Sequence, residues 1–99
     1  MAKIRFGING VLHGTFSEIG EVCKAVEGTG IEMLGISDSP LLCKEVYVTT
    51  AYCAMNTSQV NLVSAVTNPV TRHPSVTASG LFALDQMAPG RISLGCHRG

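Results

Sequence analysis

The feature that most constrains this chain is a repeat of about thirty residues, the length of a βαβ unit. Strand-like runs begin near Ile4, Met33, Val60 and Arg91, and a helix-like segment fills each gap between them. The runs Ile4–Ile8, Met33–Ile36 and Val60–Val66 are short and largely apolar, the pattern of strands buried on both faces of a parallel sheet. Each ends in small or polar residues, and in parallel α/β folds the loops leaving those C-terminal ends meet ligands.

The three intervening segments read as helices. Thr15 followed by Glu18 forms a capping-box pattern, and Phe16, Ile19, Val22, Cys23 and Val26 recur at helical spacing until Gly28 and Gly30 stop the run. The second helix is expected around Tyr47 to Met55, with Val48, Ala51, Tyr52 and Met55 on one face. The third is expected from about Thr77 to Ala88, with Ala78, Leu81, Phe82, Leu84 and Ala88 toward the sheet and Pro89-Gly90 ending it. Between the third strand and third helix lies a polar loop, Val66-Thr67-Asn68-Pro69-Val70-Thr71-Arg72-His73-Pro74. Its two prolines fix their own φ and push Asn68 and His73 toward extended backbone, so it reads as a stiff binding surface.

Composition narrows the partners. Only 14% of the residues are charged and the formal net charge is zero, against about a quarter charged in an average soluble domain. The scattered Lys and Arg residues offer nothing to nucleic acid or an anionic membrane. The opening residues lack a leader-like pattern and no long apolar span follows, so the expected address is cytoplasmic. Cys23, Cys43, Cys53 and Cys96 form no C-x-x-C pair, and His13, His73 and His97 fall on three different connections. No metal site is expected, and the cysteines are read as reduced thiols. There is no G-x-S-x-G elbow or phosphate loop, and Gly7-Ile8-Asn9-Gly10 does not complete a dinucleotide fingerprint.

The run from Val66 to Pro74, then Thr77-Ala78-Ser79, Leu84-Asp85 and Gly90-Arg91-Ile92-Ser93-Leu94-Gly95, resembles the N-terminal half of the luciferase-like family of flavin- and deazaflavin-dependent oxidoreductases. The resemblance implies a TIM-type (β/α)8 barrel, of which this chain holds four strands and three helices. A complete barrel needs about 250 residues, so the expected fold class is α/β, a parallel half-barrel with open edges that favour a homo-oligomer. The implied cofactor is FMN or a deazaflavin coenzyme, acting with a small organic substrate.

Site residues follow the resemblance one at a time. Ala65-Val66 falls where the family forms a bulge with a cis peptide bond behind the cofactor ring, and Thr67 and Asn68 continue that shelf. Asp38 falls where the family often has an acidic residue followed by histidine; here Ser39 follows, which removes an imidazole donor. Asn9 stands where certain reductases carry glutamate. His73 belongs to the same rim as Asp38 and Ser39, and these three are the catalytic candidates. Arg98, beside His97, is a candidate for a cofactor phosphate, while Asp85 and Arg91 are expected to pair structurally. The alternative to an oxidoreductase part is a silent half-barrel that self-associates or pairs with a missing half.

Overall fold

The computed structural model describes residues 4–10 and 12–98. It contains β1 (Gly7–Gly10), α1 (Phe16–Gly28), β2 (Met33–Ile36), α2 (Val46–Met55), β3 (Asn61–Ser64), α3 (Pro74–Met87) and β4 (Ile92–Ser93). The four strands form one sheet in sequential order, every pair parallel. Sequential parallel strands joined by right-handed helical crossovers put all the helices on one face, which is the winding of a (β/α) barrel.

Register assigns each residue to a face. Ile8, Leu34, Leu62 and Ile92 lie in one row across the sheet, and Asn9, Gly35, Val63 and Ser93 in the next. The first row faces the helices: Leu34, Ile36 and Leu62 pack with Ile19 and Cys23 of α1 and with Val46, Cys53 and Ala54 of α2. Because strand side chains alternate, the second row lines the opposite, concave face. That face carries Asn9, Asn61 and Ser93, with Ser93 Oγ donating to Asn61 Oδ1 at 2.8 Å. The expectation of strands apolar on both faces is therefore corrected: only the helix-facing row is uniformly aliphatic. All of β1 is exposed, since it is an edge strand.

The helices start where local chemistry dictates. At α1, Thr15 Oγ1 accepts from the Glu18 amide at 3.1 Å and Glu18 Oε1 accepts from the Thr15 amide at 3.0 Å. The backbone bond from Thr15, then its hydroxyl contact, hold the Glu18 carboxyl below its ordinary range. At α3 the helix begins at Pro74, three residues before Thr77, with His73 as its N-cap. Proline at the first helical position costs nothing there because its missing N–H would have no intrahelical acceptor.

The buried face of α2 differs from the sequence expectation. Val46, Thr49, Thr50, Cys53 and Ala54 are buried, whereas Val48 and Met55 are exposed. The segment is apolar nearly all round, so periodicity could not select a face. Thr50 fits inside because its hydroxyl donates to the Val46 carbonyl at 2.7 Å. Tyr52 turns instead to α1, where its ring lies 5.1 Å from that of Phe16. Phe82 of α3, also expected toward the sheet, is exposed, while Leu84 and Ala88 are buried as expected.

The expected Asp85–Arg91 pair does not form. Asp85 Oδ1 accepts from the Gly90 amide at 3.1 Å, and Arg91 reaches below the sheet. Its guanidinium donates to the carbonyls of Ala54, Thr57 and Val60 and to Thr57 Oγ1 at 3.0 to 3.3 Å. Glu27 lies in the same region, accepting the amides of Ser58, Gln59 and Val60 at 2.7 to 2.9 Å. Burial opposes its ionisation, but these three amides and the Arg91 charge together keep the carboxyl below its ordinary range. The two side chains fasten the end of α2 and the start of β3 to α1 and β4.

Candidate active site at the strand ends

The rim is organised by how β3 ends. Regular pairing runs through Ser64, and the Ala65 amide still donates to the Ile36 carbonyl at 2.8 Å. The peptide bond between Ala65 and Val66 is cis. Pairing then resumes on the other side: the Thr67 amide donates to the Gly95 carbonyl and the His97 amide to the Thr67 carbonyl, both at 2.9 Å. Across the interruption Ser64 Oγ donates to the Gly95 carbonyl at 2.9 Å and accepts from the Gly95 amide at 3.0 Å. A hydroxyl thus replaces a main-chain ladder step. Gly95 must be glycine there, because a Cβ would collide with the Ser64 carbonyl oxygen.

A second glycine keeps the concave face close. A Cβ on Gly35 would stand 2.8 Å from Asn9 Oδ1 and 2.9 Å from the Ala65 Cβ. Asn9 and Ala65 therefore approach each other over the bare backbone of β2, forming a low surface beside the exposed Val66 side chain.

Two residues beyond Ala65, Thr67 joins a charged network. Thr67 Oγ1 donates to Asp38 Oδ2 at 2.6 Å, and Arg72 Nη1 donates to the same oxygen at 2.7 Å. Arg72 Nη2 also donates to Glu45 Oε1 at 3.1 Å. The guanidinium covers the Tyr47 ring, 4.8 Å from its centroid, and Glu45 Oε2 caps α2 by accepting from the Val48 amide at 2.8 Å. The Asp38 side chain is 2% exposed. Burial alone would push its carboxyl up, but the hydrogen bonds from Arg72 and Thr67 and the Arg72 charge outweigh that and hold it below the ordinary carboxylate range. The same bond, donated to Asp38, raises Arg72. Asp38 is an ionised, fully engaged anchor near neutral pH.

The other sequence candidates take distinct places. Ser39 lies in a turn, its carbonyl accepting from the Leu42 and Cys43 amides at 3.0 and 2.9 Å, and with Asp38, Lys44 and Arg72 it lines a cavity of about 340 Å³. Asn68 Oδ1 accepts from the Val70 and Thr71 amides at 2.9 Å each, so its carboxamide folds the loop that carries Arg72 back to Asp38. His73 is committed to the start of α3: its Nδ1 accepts from the Ser75 amide at 3.1 Å. Arg98 is exposed past the Thr67–Cys96 bridge. The fold thus joins Asp38, Thr67 and the Ala65-Val66 step in one unit and gives His73 a capping role. Arg72, Glu45 and Tyr47 escaped the sequence reading. The available signal was Arg72 itself, a cation inside a stiff polar loop of a sparsely charged chain.

A sequentially ordered parallel sheet, helices on one face and a rigid polar rim define one side of a (β/α)-barrel enzyme fold. Residues 1–99 match the luciferase-like monooxygenase family, and the chain belongs to it. It is 35% identical over 94 residues to the 5,10-methylenetetrahydromethanopterin reductase of Methanolobus tindarius, covering 95% of this chain and 28% of that protein. The structure of the coenzyme F420 dependent tetrahydromethanopterin reductase from Methanopyrus kandleri superposes with a TM-score of 0.89 at 32% identity, over 96% of this chain and 27% of that one. The oxygenating constituent of 3,6-diketocamphane monooxygenase from Pseudomonas putida, solved with FMN, shares the fold at a TM-score of 0.79 and 17% identity, over 98% of this chain and 30% of that one. The chain therefore spans just over a quarter of the length of these relatives. No helix among the described residues is long and apolar enough to cross a membrane.

Proposed function

We propose that this chain supplies the strand-end shelf that backs the cofactor ring in a flavin- or deazaflavin-dependent oxidoreductase. The observation that carries the reading is the low surface of Asn9, Gly35 and Ala65, continued along the chain by Thr67, which the Asp38–Arg72 pair holds in place. A flat aromatic ring needs a flat, rigid support, and a Cβ on Gly35 would close this one. Bound there, such a cofactor supplies hydride chemistry, and the protein contributes orientation and exclusion of water. The reductases at 32 to 35% identity, one of them F420 dependent, favour the deazaflavin form over FMN, with a small organic substrate at the rim.

In this reading Asp38 positions Thr67 and the shelf, and Ser39 faces the substrate side of the rim. Arg98 reaches toward an anionic group on cofactor or substrate. Phosphate loops of such barrels follow the seventh and eighth strands, so this chain alone binds the ring weakly. Hydrogen bonds contribute about 0.5 to 1.5 kcal/mol each net of water, against an association cost of at least about 4 kcal/mol. In a barrel completed by the remaining strands, Ala65→Phe should abolish binding of deazaflavin and FMN in a fluorescence titration, while Asp85→Asn should leave binding intact. Wild-type affinity in Ala65→Phe would remove the proposed site.

A second reading, a half-barrel that pairs with another copy, is favoured by the exposed edge strand β1 and by the exposed Val48, Met55 and Met87 on the helices. Unpaired strand edges and apolar patches drive association. Sedimentation should then show a dimer, and a monomer with cooperative unfolding would exclude it.

A further inference from the structure

Cys23 of α1 and Cys53 of α2 are both free and completely buried, and their sulfurs lie 2.6 Å apart across the helix interface. Packed carbon atoms sit about 3.5 to 4.0 Å apart, whereas a disulfide requires about 2.05 Å. The pair is thus brought within a small side-chain movement of bonding by two elements whose sequence separation is 30 residues. Nothing in the strand-end site uses either thiol. The other two cysteines differ in kind: Cys96 is exposed and Cys43 half-buried, each on a rim loop.

We propose that Cys23 and Cys53 are a peroxide-sensitive pair that forms a reversible disulfide stapling α1 to α2. In the first step the Cys23 sulfur attacks one oxygen of hydrogen peroxide, the O–O bond breaks, and Cys23 sulfenic acid and one water result. In the second, the Cys53 sulfur attacks the Cys23 sulfur, the S–O bond breaks, and the Cys53 proton leaves with the hydroxyl as a second water. Two thiols are oxidised by two electrons, and the peroxide accepts both. A thiol reductant reverses the bond by exchange. The contact with Cys23, then burial, push the Cys53 thiol up, which suits Cys53 to the second, resolving step. Complete burial favours a small oxidant such as hydrogen peroxide over a bulky disulfide reagent.

The test is differential alkylation with mass spectrometry on the intact 99-residue protein, treated with hydrogen peroxide and then unfolded in the alkylating agent. The expected product is a Cys23–Cys53 cross-linked peptide lacking two hydrogen atoms, restored to two alkylated thiols by dithiothreitol. The oxidised protein should also melt about 5 °C or more higher than the reduced one. Cys23→Ala should abolish the cross-link, and Cys43→Ala with Cys96→Ala should leave it unchanged. Recovery of both buried cysteines as alkylated thiols after treatment, in native protein and in mild urea that opens the helix interface, would overturn the proposal. So would oxidation confined to Cys43 and Cys96, or sulfinic acid on Cys23 without a cross-link.

Discussion

Two arginines hold the two ends of this sheet in different ways. Below it, Arg91 spends its guanidinium mainly on main-chain carbonyls at the end of α2 and the start of β3, and Glu27 likewise binds mainly amides there. Above it, Arg72 binds the carboxylates of Asp38 and Glu45, and Asp38 in turn holds Thr67. Most partners in the lower frame are main-chain groups, so it rests chiefly on the two side chains Arg91 and Glu27. The upper network depends on particular residues and shapes one surface. The contrast is the barrel division of labour in miniature: stability at the N-terminal ends of strands, ligands at the C-terminal ends.

The largest expected effect tests whether the rim is also structural. Gly95→Ala forces a Cβ into the Ser64 carbonyl, where main chain rather than a flexible side chain must yield. Overpacking of this kind should cost about 3 kcal/mol, read as a lower urea midpoint; an unchanged midpoint would mean that the strand-end interruption adjusts freely.

Asp38→Ala comes next. It leaves Arg72, whose side chain is 17% exposed, without its main partner and orphans the Thr67 hydroxyl, and breaking such a pair should cost about 2 to 3 kcal/mol. A double-mutant cycle with Arg72→Ala should show coupling of about 1 kcal/mol or more. Additive losses would reduce the network to independent contacts.

Arg91→Ala should cost about 2 kcal/mol by leaving part-buried carbonyls short of donors. In a completed barrel it should lower the melting temperature without altering cofactor affinity, and a change in affinity with stability restored would erase the distinction between the two ends.

Acid should loosen both ends together. Asp38 and Glu27 are held below their ordinary values, so the unfolded chain binds more protons than the folded one in that range. Their stabilisation is complete above the unfolded values of about 3.9 and 4.3 and is lost as pH falls through the lower folded values. Stability measured between about pH 6 and about pH 3 should fall less steeply in Asp38→Asn and in Glu27→Gln than in wild type. Parallel curves would argue against the depressed values.

The smallest effect concerns His73. As an N-cap it should cost about 0.5 to 1 kcal/mol when replaced by alanine and almost nothing when replaced by asparagine. Loss of turnover in a completed barrel carrying stable His73→Asn would return His73 to the chemistry.

The sequence carried the architecture because its signals are local. The Thr15–Glu18 capping box, the thirty-residue rhythm and Pro89-Gly90 each act within a few residues, and the helices and the parallel order followed. Strand limits shifted, as with β1, read as Ile4–Ile8 and found at Gly7–Gly10, because apolar content does not report which groups are paired. The interrupted step at Ala65-Val66 was reached through family resemblance, not through any propensity of those residues.

Which side chains meet was settled by packing. The linear chain dictates element types, their order and a stiff polar loop after the third strand, since turns, caps and proline geometry are set by neighbours in the chain. It could not place Arg72 on Asp38, 34 residues away, Arg91 on the end of α2 rather than on Asp85, or Cys23 against Cys53. Those contacts depend on strand register and on the face each helix turns to the sheet, and both are fixed only when the whole core packs.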